Sequence, residues 1–123
     1  MTFRITGLDH IVLVCRDVEA SLAFYCDRLG LEPERLDEWR AGTVPFPSVR
    51  VTSTTIIDLF AGDRSGTNLD HVCLTFEGDT LDAVQQRFPD GRLGRQLFGA
   101  QGRADSLYVK DPDGNTVELR RYA

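Results

Sequence analysis

The chain has 123 residues, of which 41% are hydrophobic and 27% are charged, and its formal net charge is −5. This length fits one domain with its own core. A net negative chain is poorly suited to bind nucleic acid or an acidic membrane surface, so we expect neither partner. There is no apolar run of the ~20 residues that a membrane span needs, and the first residues lack the apolar stretch of a signal peptide.

The three cysteines are Cys15, Cys26 and Cys73. Their odd number and the absence of a C-x-x-C pair favour reduced, mostly buried thiols, as is usual for a cytoplasmic protein. We therefore expect a cytoplasmic location and no metal or redox role for the thiols.

The first predicted module begins with a strand at Leu8–Leu13, a short apolar run with two β-branched residues. A helix follows, because Asp17 can cap it and apolar residues recur at helical spacing up to Gly30. A further strand is predicted near Glu34–Arg40. Two short strands, joined by a tight turn at Thr52–Thr54, complete the module and lie at Ser48–Val51 and Ile57–Leu59.

The second predicted module repeats the first after 61 residues, since Leu8–Leu13 recurs as Leu69–Leu74. Asp79 or Thr80 can cap its helix, which Pro89 ends. The strands expected after it are Gly94–Phe98, Ser106–Val109 and Val117–Leu119, with a turn at Asp111–Asn115.

This order of elements predicts an α+β fold of two tandem βαβββ modules. We expect a single domain, 1–123, built from module 7–61 and module 68–122. The segment Ala61–Asn68, rich in Gly, Asp and Ser, is the predicted linker.

Both histidines of the chain lie at equivalent positions of the repeat, and a carboxylate follows each in the last strand of its module. Alternate residues of a strand share a face, so these side chains point away from the helix of their module. Pairing of two equivalent modules would bring the four side chains together as ligands of one divalent ion. The predicted ligands are His10, Asp58, His71 and Glu118.

Each residue of this set also has an ordinary structural interpretation. A single histidine that opens a strand is more often hydrogen-bonded than metal-bound, whereas an unpaired carboxylate in an apolar strand is costly. The combination favours the metal site. Asp58 is the weakest member, because its shorter side chain could bind through water or leave a three-ligand site.

The same alternation places Arg50 and Tyr108 on the face of the predicted ligands, where they could bind an anionic or carbonyl-bearing substrate. An arginine reaching solvent and a tyrosine filling the core are equally open interpretations. The glycine-rich stretch Gly94–Arg103 is typical of a mobile loop, either a lid or a plain solvent loop. We expect Arg120-Arg121 to be a solvated edge.

The chain resembles the vicinal oxygen chelate superfamily, which includes glyoxalase I, extradiol ring-cleaving dioxygenases, fosfomycin-resistance thiol transferases and bleomycin-resistance proteins. The resemblance covers residues 7–122. It rests on Gly7–Ile11, Ser21–Tyr25, Leu69–His71 and Asp111–Asn115 leading into Glu118.

The resemblance implies paired βαβββ modules whose curved mixed sheets enclose a central metal site, usually in a homodimer. It implies one divalent metal ion (Ni, Co, Zn, Mn or Fe), a small-molecule substrate that binds through adjacent oxygens, and Glu118 as the base of a glyoxalase-like reaction. The family pattern usually has Glu where Asp58 stands. Isomerase or lyase chemistry is favoured over ring-cleaving dioxygenase or thiol transferase, and a non-catalytic sequestering protein is the alternative.

Overall fold

The structure is a computed structural model that describes residues 2–28, 30–63, 66, 68–110 and 116–123. The chain divides into two compact units. We call Met1–His10 with His71–Ala123 the histidine unit, because it contains both histidines, and Ile11–Asp70 the companion unit. Strands β1 (Arg4–Cys15) and β5 (Leu69–Glu77) have residues in both units.

The histidine unit is a mixed sheet with one helix on it. After β5 come α3 (Leu81–Arg87), β6 (Arg92–Gly99), β7 (Gly102–Lys110) and β8 (Thr116–Arg121). The strands are hydrogen-bonded in the order β1-β5-β8-β7-β6. The pair β5–β8 is parallel, whereas β7 is antiparallel to both β8 and β6.

The companion unit contains α1 (Val18–Leu22), a π-helical segment (Ala23–Arg28), β2 (Glu32–Glu34), α2 (Leu36–Arg40), β3 (Ser48–Thr52) and β4 (Thr55–Ala61). Its strands are ordered β2-β3-β4-β1, and β2, β3 and β4 pair antiparallel. The order of elements along the chain is therefore β-α-β-β-β twice, with α2 as an addition in the first copy. The predicted α+β fold and its repeated module are confirmed.

Each unit has its own core on the helix side of its strands. Leu107 and Leu119 pack with Val84 of α3 in the histidine unit, and Val49 and Leu59 pack with Leu22 of α1 in the companion unit. Side chains of opposite parity are thus left for the other face, as alternation predicts. That face carries Tyr108 and Glu118 on neighbouring strands.

The helix caps follow the sequence prediction. Asp17 Oδ1 accepts a hydrogen bond from the Ala20 backbone N–H (3.1 Å), and Thr80 Oγ1 accepts one from Ala83 (3.1 Å). Such caps satisfy backbone donors that the first helical turn leaves without partners. The helix after Asp17 differs from the prediction in that it changes to a π-helical segment at Ala23.

Three expectations about secondary structure and exposure were wrong. Leu36–Arg40 is helical, and the strand there is confined to Glu32–Glu34. The stretch Gly94–Arg103 is a paired hairpin of β6 and β7 and not a mobile loop, because its backbone groups bond across the strands instead of to water; the strand predicted at Gly94–Phe98 is confirmed. Arg120 is completely buried, since β8 has a neighbour on each side.

Other expectations were confirmed or lie outside the described residues. Cys15 and Cys73 are buried and all three thiols are free. The tight turn between β3 and β4 is present. The turn predicted at 111–115 lies outside the described residues. No helix of the described residues is long and apolar enough to span a membrane.

Candidate metal centre

Three of the four predicted ligands meet in the histidine unit. His10 Nε2 lies 3.3 Å from His71 Nε2 and 3.2 Å from Glu118 Oε1, and His71 Nε2 lies 3.0 Å from the same oxygen. All three side chains are buried. Alternation along the strands places them there. His10 is the last residue of β1 that belongs to this unit, and β5 and β8, which carry His71 and Glu118, are parallel neighbours.

These separations fit a metal ion. Ligand atoms about 2.1 Å from a metal and at right angles to each other are about 3.0 Å apart, and wider angles give slightly more. Two imidazole nitrogens and one carboxylate oxygen suit a first-row divalent ion. Three protein ligands would leave coordination positions of the ion open for substrate oxygens. The residues present therefore fit the group that the resemblance implies.

Asp9 fixes the orientation of His10. The Nδ1–H of His10 donates to Asp9 Oδ2 over 2.7 Å, so Nε2 of the same ring is directed towards His71 and Glu118. Asp9 is fully buried and also accepts hydrogen bonds from the Ala100 backbone N–H (3.1 Å) and the Tyr122 hydroxyl (2.6 Å). A carboxylate behind a ligating histidine sets its tautomer and increases its basicity.

Glu118 is held as an anion. Its Oε2 accepts hydrogen bonds from Ser106 Oγ (2.7 Å) and from Arg120 (3.0 Å), which leaves Oε1 towards the histidines. Burial acts to raise the pKa of Glu118, but the bonds from His10, His71 and Ser106 outweigh burial and lower the pKa far below its usual value. This carboxylate is therefore an anion in the metal-free site and suits a cation as ligand.

His10 carries a proton in the metal-free site. Burial acts to lower its pKa, but hydrogen bonding to Asp9, Cys73 and Glu118 outweighs burial and raises the pKa to about 12. A metal that binds Nε2 must displace that proton. For Asp9, burial acts to raise the pKa, and the bonds from His10 and Tyr122 reverse this and lower it.

Cys73 lies beside His10, and Asp9, His10 and Cys73 form a second close group of possible ligands. Burial raises the pKa of the Cys73 thiol to about 12. Because only the thiolate binds metals well, and because Asp9 already accepts bonds from three donors, this group is the poorer metal site.

Arg120 lies near the carboxylates of both Glu118 and Asp9. Its guanidinium bonds Glu118 and Ser106, donates to the carbonyls of Leu97 and Gly102, and lies 3.8 Å from Asp9. A Cβ at Gly99 would lie 2.5 Å from Arg120 Nε, so the glycine permits this close approach. The sequence did not predict the roles of Asp9, Ser106, Arg120 and Tyr122. For Ser106 a signal was available, because Ser48 stands at the equivalent repeat position.

The other predicted site residues divide between the units. Tyr108 adjoins the metal ligands: its ring centroid is 5.7 Å from that of His71, and it is directly opposite Glu118 on the neighbouring strand. Burial and the Glu118 charge raise the pKa of Tyr108, so it remains a neutral donor. Arg50 lies in the companion unit and forms an ion pair with Glu34 (2.5 Å).

Asp58 also lies in the companion unit. Its Oδ1 accepts a hydrogen bond from Ser48 Oγ (2.6 Å) and lies 3.9 Å from the Arg35 guanidinium. Direct ligation by Asp58 stays a prediction from the repeat. The contacts within its own unit supply another role, which is to neutralise a half-buried arginine.

Comparison with known proteins identifies the class. The family model described as the glyoxalase/bleomycin resistance protein/dioxygenase superfamily matches residues 7–119. The chain belongs to this superfamily. Members often bind a divalent metal, and the chain has ligand groups for one.

Similar individual proteins have diverse names. A virulence protein of Salmonella typhimurium is 25% identical over 96% of this chain and 85% of its own length. A glyoxalase domain-containing protein of Mycosarcoma maydis is 27% identical over 96% of this chain and 69% of its own length.

Two solved structures share the fold at low identity. Methylmalonyl-CoA epimerase from Mycobacterium tuberculosis has a TM-score of 0.60 and 22% identity, covering 97% of this chain and 89% of that one. An extradiol ring-cleaving dioxygenase from B. fuscum has a TM-score of 0.71 and 21% identity, covering 99% of this chain and 34% of that one.

Proposed function

We propose that the protein is a metal-dependent enzyme that binds a small oxygenated metabolite through adjacent oxygens. The observation that carries the proposal is the buried group of His10, His71 and Glu118, with mutual ligand-atom distances of 3.0–3.3 Å. A protein that only sequesters its ligand has no use for such a set. Asp58 is a predicted fourth ligand.

A divalent metal bound here would supply Lewis acidity that stabilises negative charge developing on the substrate oxygens. The side chains of the chain prepare that site. Asp9 holds His10 in the ligating tautomer, and Ser106 and Arg120 hold Glu118 ionised. The Tyr108 hydroxyl, kept neutral, can donate a hydrogen bond to a substrate oxygen beside Glu118.

Among reaction types, isomerase or lyase chemistry remains our first proposal, with Glu118 as the predicted proton carrier. Ring-cleaving oxygenase chemistry is the second, because a set of two histidines and one carboxylate on one side of the ion is typical of non-heme Fe(II) oxygenases. A cytoplasmic location and a homodimer complete the proposal.

Metal titration tests the proposal. Protein purified without chelator or affinity tag is titrated by calorimetry with Zn²⁺, Ni²⁺, Co²⁺, Mn²⁺ and, without oxygen, Fe²⁺. We expect about one ion per chain and an affinity that rises with pH, since His10 must release its proton. Metal content near zero, unchanged in a His10→Ala/His71→Ala variant, would leave the sequestering function instead.

Turnover assays then separate the two reaction types. Oxygen uptake with the Fe²⁺ protein and a panel of catechols tests ring cleavage. Solvent deuterium exchange into 2-oxo and 2-hydroxy acids tests proton transfer. For each assay the Glu118→Gln variant is the control, because it keeps the size of the ligand and removes its charge.

A further inference from the structure

A row of polar side chains crosses the sheet of the histidine unit and leads away from the metal ligands. Glu118 on β8 is directly opposite Tyr108 on β7, and Tyr108 is directly opposite Arg92 on β6. Residues directly opposite each other lie on the same face of an antiparallel pair. Arg92 therefore shares the face of the ligands, two strands from Glu118.

Arg92 lies over the ring of Tyr108. Its guanidinium carbon is 4.6 Å from the centroid of that ring, a cation–π distance that holds the side chain near the row. Its side chain is exposed. Among the described residues the Tyr108 ring is the partner of Arg92. The N–H groups of the guanidinium therefore remain available to a ligand.

A cavity of about 610 Å³ opens at this end of the row and is lined in part by Arg92 and Tyr108. Phe88 and Pro89 contribute an apolar wall. Of its charged groups, Arg87 is paired with Asp79 at 2.7 Å, Lys110 donates a hydrogen bond to Thr116, and Asp90 adds a negative charge. The cavity thus combines an apolar wall with one well-placed guanidinium.

We infer that Arg92, stacked on Tyr108, forms a carboxylate-binding subsite next to the metal centre. This inference rests on the proposed function. A guanidinium matches the two oxygens of a carboxylate with two parallel hydrogen bonds. The other two cations of the cavity already have partners, since Arg87 is paired with Asp79 and Lys110 donates to Thr116, so the single guanidinium of Arg92 fits a carboxylate.

The row also sets the length of the substrate. Neighbouring strands are about 4.8 Å apart, so Arg92 starts about 10 Å from Glu118. Because the Arg92 guanidinium folds back over the Tyr108 ring, this strand spacing is an upper limit. The substrate class is therefore a metabolite with metal-binding adjacent oxygens at one end, a carboxylate at most about 10 Å away, and a carbon chain or ring between them.

Two hydroxamates of equal chain length test this subsite. Both suberic acid monohydroxamate and octanohydroxamic acid chelate metals, and only the first carries a distal carboxylate. Calorimetry measures their affinities for the metal-loaded and metal-free protein. The variants are Arg92→Gln, Arg92→Lys and the control Arg103→Gln.

Arg103 is a matched control because its guanidinium lies 4.5 Å from the ring of Phe98, its direct partner at the other end of the same hairpin. Arg103→Gln removes the same charge and the same type of ring contact. Both arginines are exposed, so both variants should fold, which thermal unfolding checks.

We expect Arg92→Gln to lower the affinity for suberic acid monohydroxamate about fivefold to tenfold, because a charge-assisted hydrogen bond is lost. The affinity of the same variant for octanohydroxamic acid should change less than about twofold, because this compound has no carboxylate. Arg103→Gln should change neither, and Arg92→Lys should be intermediate, because an ammonium keeps the charge and loses the fork.

The outcomes separate the two proposals. The subsite is overturned if Arg92→Gln leaves the affinity for suberic acid monohydroxamate unchanged, or if Arg103→Gln lowers that affinity equally. This holds whether or not the hydroxamates require metal for binding. Equal binding to metal-loaded and metal-free protein, with the Arg92→Gln effect retained, supports the subsite and overturns the proposed metal-dependent function.

Discussion

The two units contain equivalent carboxylates with different partners. Glu118 and Asp58 each accept a hydrogen bond from a serine at the equivalent repeat position, Ser106 or Ser48, over 2.7 and 2.6 Å. Each carboxylate also has an arginine nearby, Arg120 at 3.0 Å from Glu118 and Arg35 at 3.9 Å from Asp58. The units differ in that Glu118 also lies against two histidines.

This difference shows that a structural repeat does not require a chemical repeat. In both units a serine donates a hydrogen bond to a buried carboxylate and an arginine offsets its charge, since an unpaired buried carboxylate would be costly. In the histidine unit the arginine and serine bind one oxygen of Glu118, and the other is left for the histidines. In the companion unit the arginine comes from the start of α2.

The largest effect should come from removing the carboxylates themselves. We expect Glu118→Ala to weaken metal binding at least about 100-fold, because it removes a charged ligand and leaves two histidines. Asp58→Ala should weaken binding much less and instead lower the melting temperature, because it leaves Arg35 half-buried without its neutralising charge.

Calorimetric metal titration and thermal unfolding of both variants check this prediction, with Glu34→Ala as a control carboxylate in the companion unit. A loss of affinity in Asp58→Ala equal to that in Glu118→Ala would establish Asp58 as the fourth ligand that the repeat predicts.

The next effect concerns the aspartates before the two histidines. Asp9 is completely buried and bonded to His10, whereas its repeat equivalent, Asp70, is exposed. We expect Asp9→Asn to weaken metal binding about 10- to 100-fold, the usual cost of changing a residue that orients a ligating histidine. Asp70→Asn should change it less than about twofold.

Metal titration is combined with the visible absorption spectrum of the Co²⁺ protein, which reports ligand geometry. A destabilised but correctly oriented site would keep its spectrum, so an altered band in Asp9→Asn identifies a positioning role. An Asp9→Asn protein with unchanged affinity and spectrum would refute that role.

The smallest effect should come from the equivalent serines. Ser106→Ala and Ser48→Ala each remove one hydrogen bond to a buried carboxylate that keeps its arginine, and each should cost about 1 kcal/mol of unfolding free energy. Chemical denaturation of the metal-free variants measures this. Metal affinity should fall, by less than about tenfold, in Ser106→Ala alone; an equal fall in Ser48→Ala would show that both carboxylates serve the metal.

Much of the fold was predictable because local patterns have physical causes. The side chains of Asp17 and Thr80 cap the helices that follow them, and each capping bond joins residues three apart in the sequence. Alternation along β5 and β8 assigned Glu118 to the face away from α3 correctly, because a strand has a period of two. The hairpin of β6 and β7 was predicted only in part: the strand Gly94–Phe98 was expected, whereas its continuation to Gly99 and pairing with Gly102 were not, because glycine-rich stretches are typical of loops.

The sequence by itself determined the repeated βαβββ module and the core faces of its strands, and it nominated His10, Asp58, His71 and Glu118 as candidate ligands, since these follow from periodicity and the count of two histidines. Only the tertiary structure decided that Asp9 is buried and Asp70 exposed, that Arg120 is internal, and that Asp58 faces Arg35. Burial and ion pairing depend on which strands become neighbours. Identical Asp-His pairs therefore acquire different environments from chain segments that lie far away in sequence.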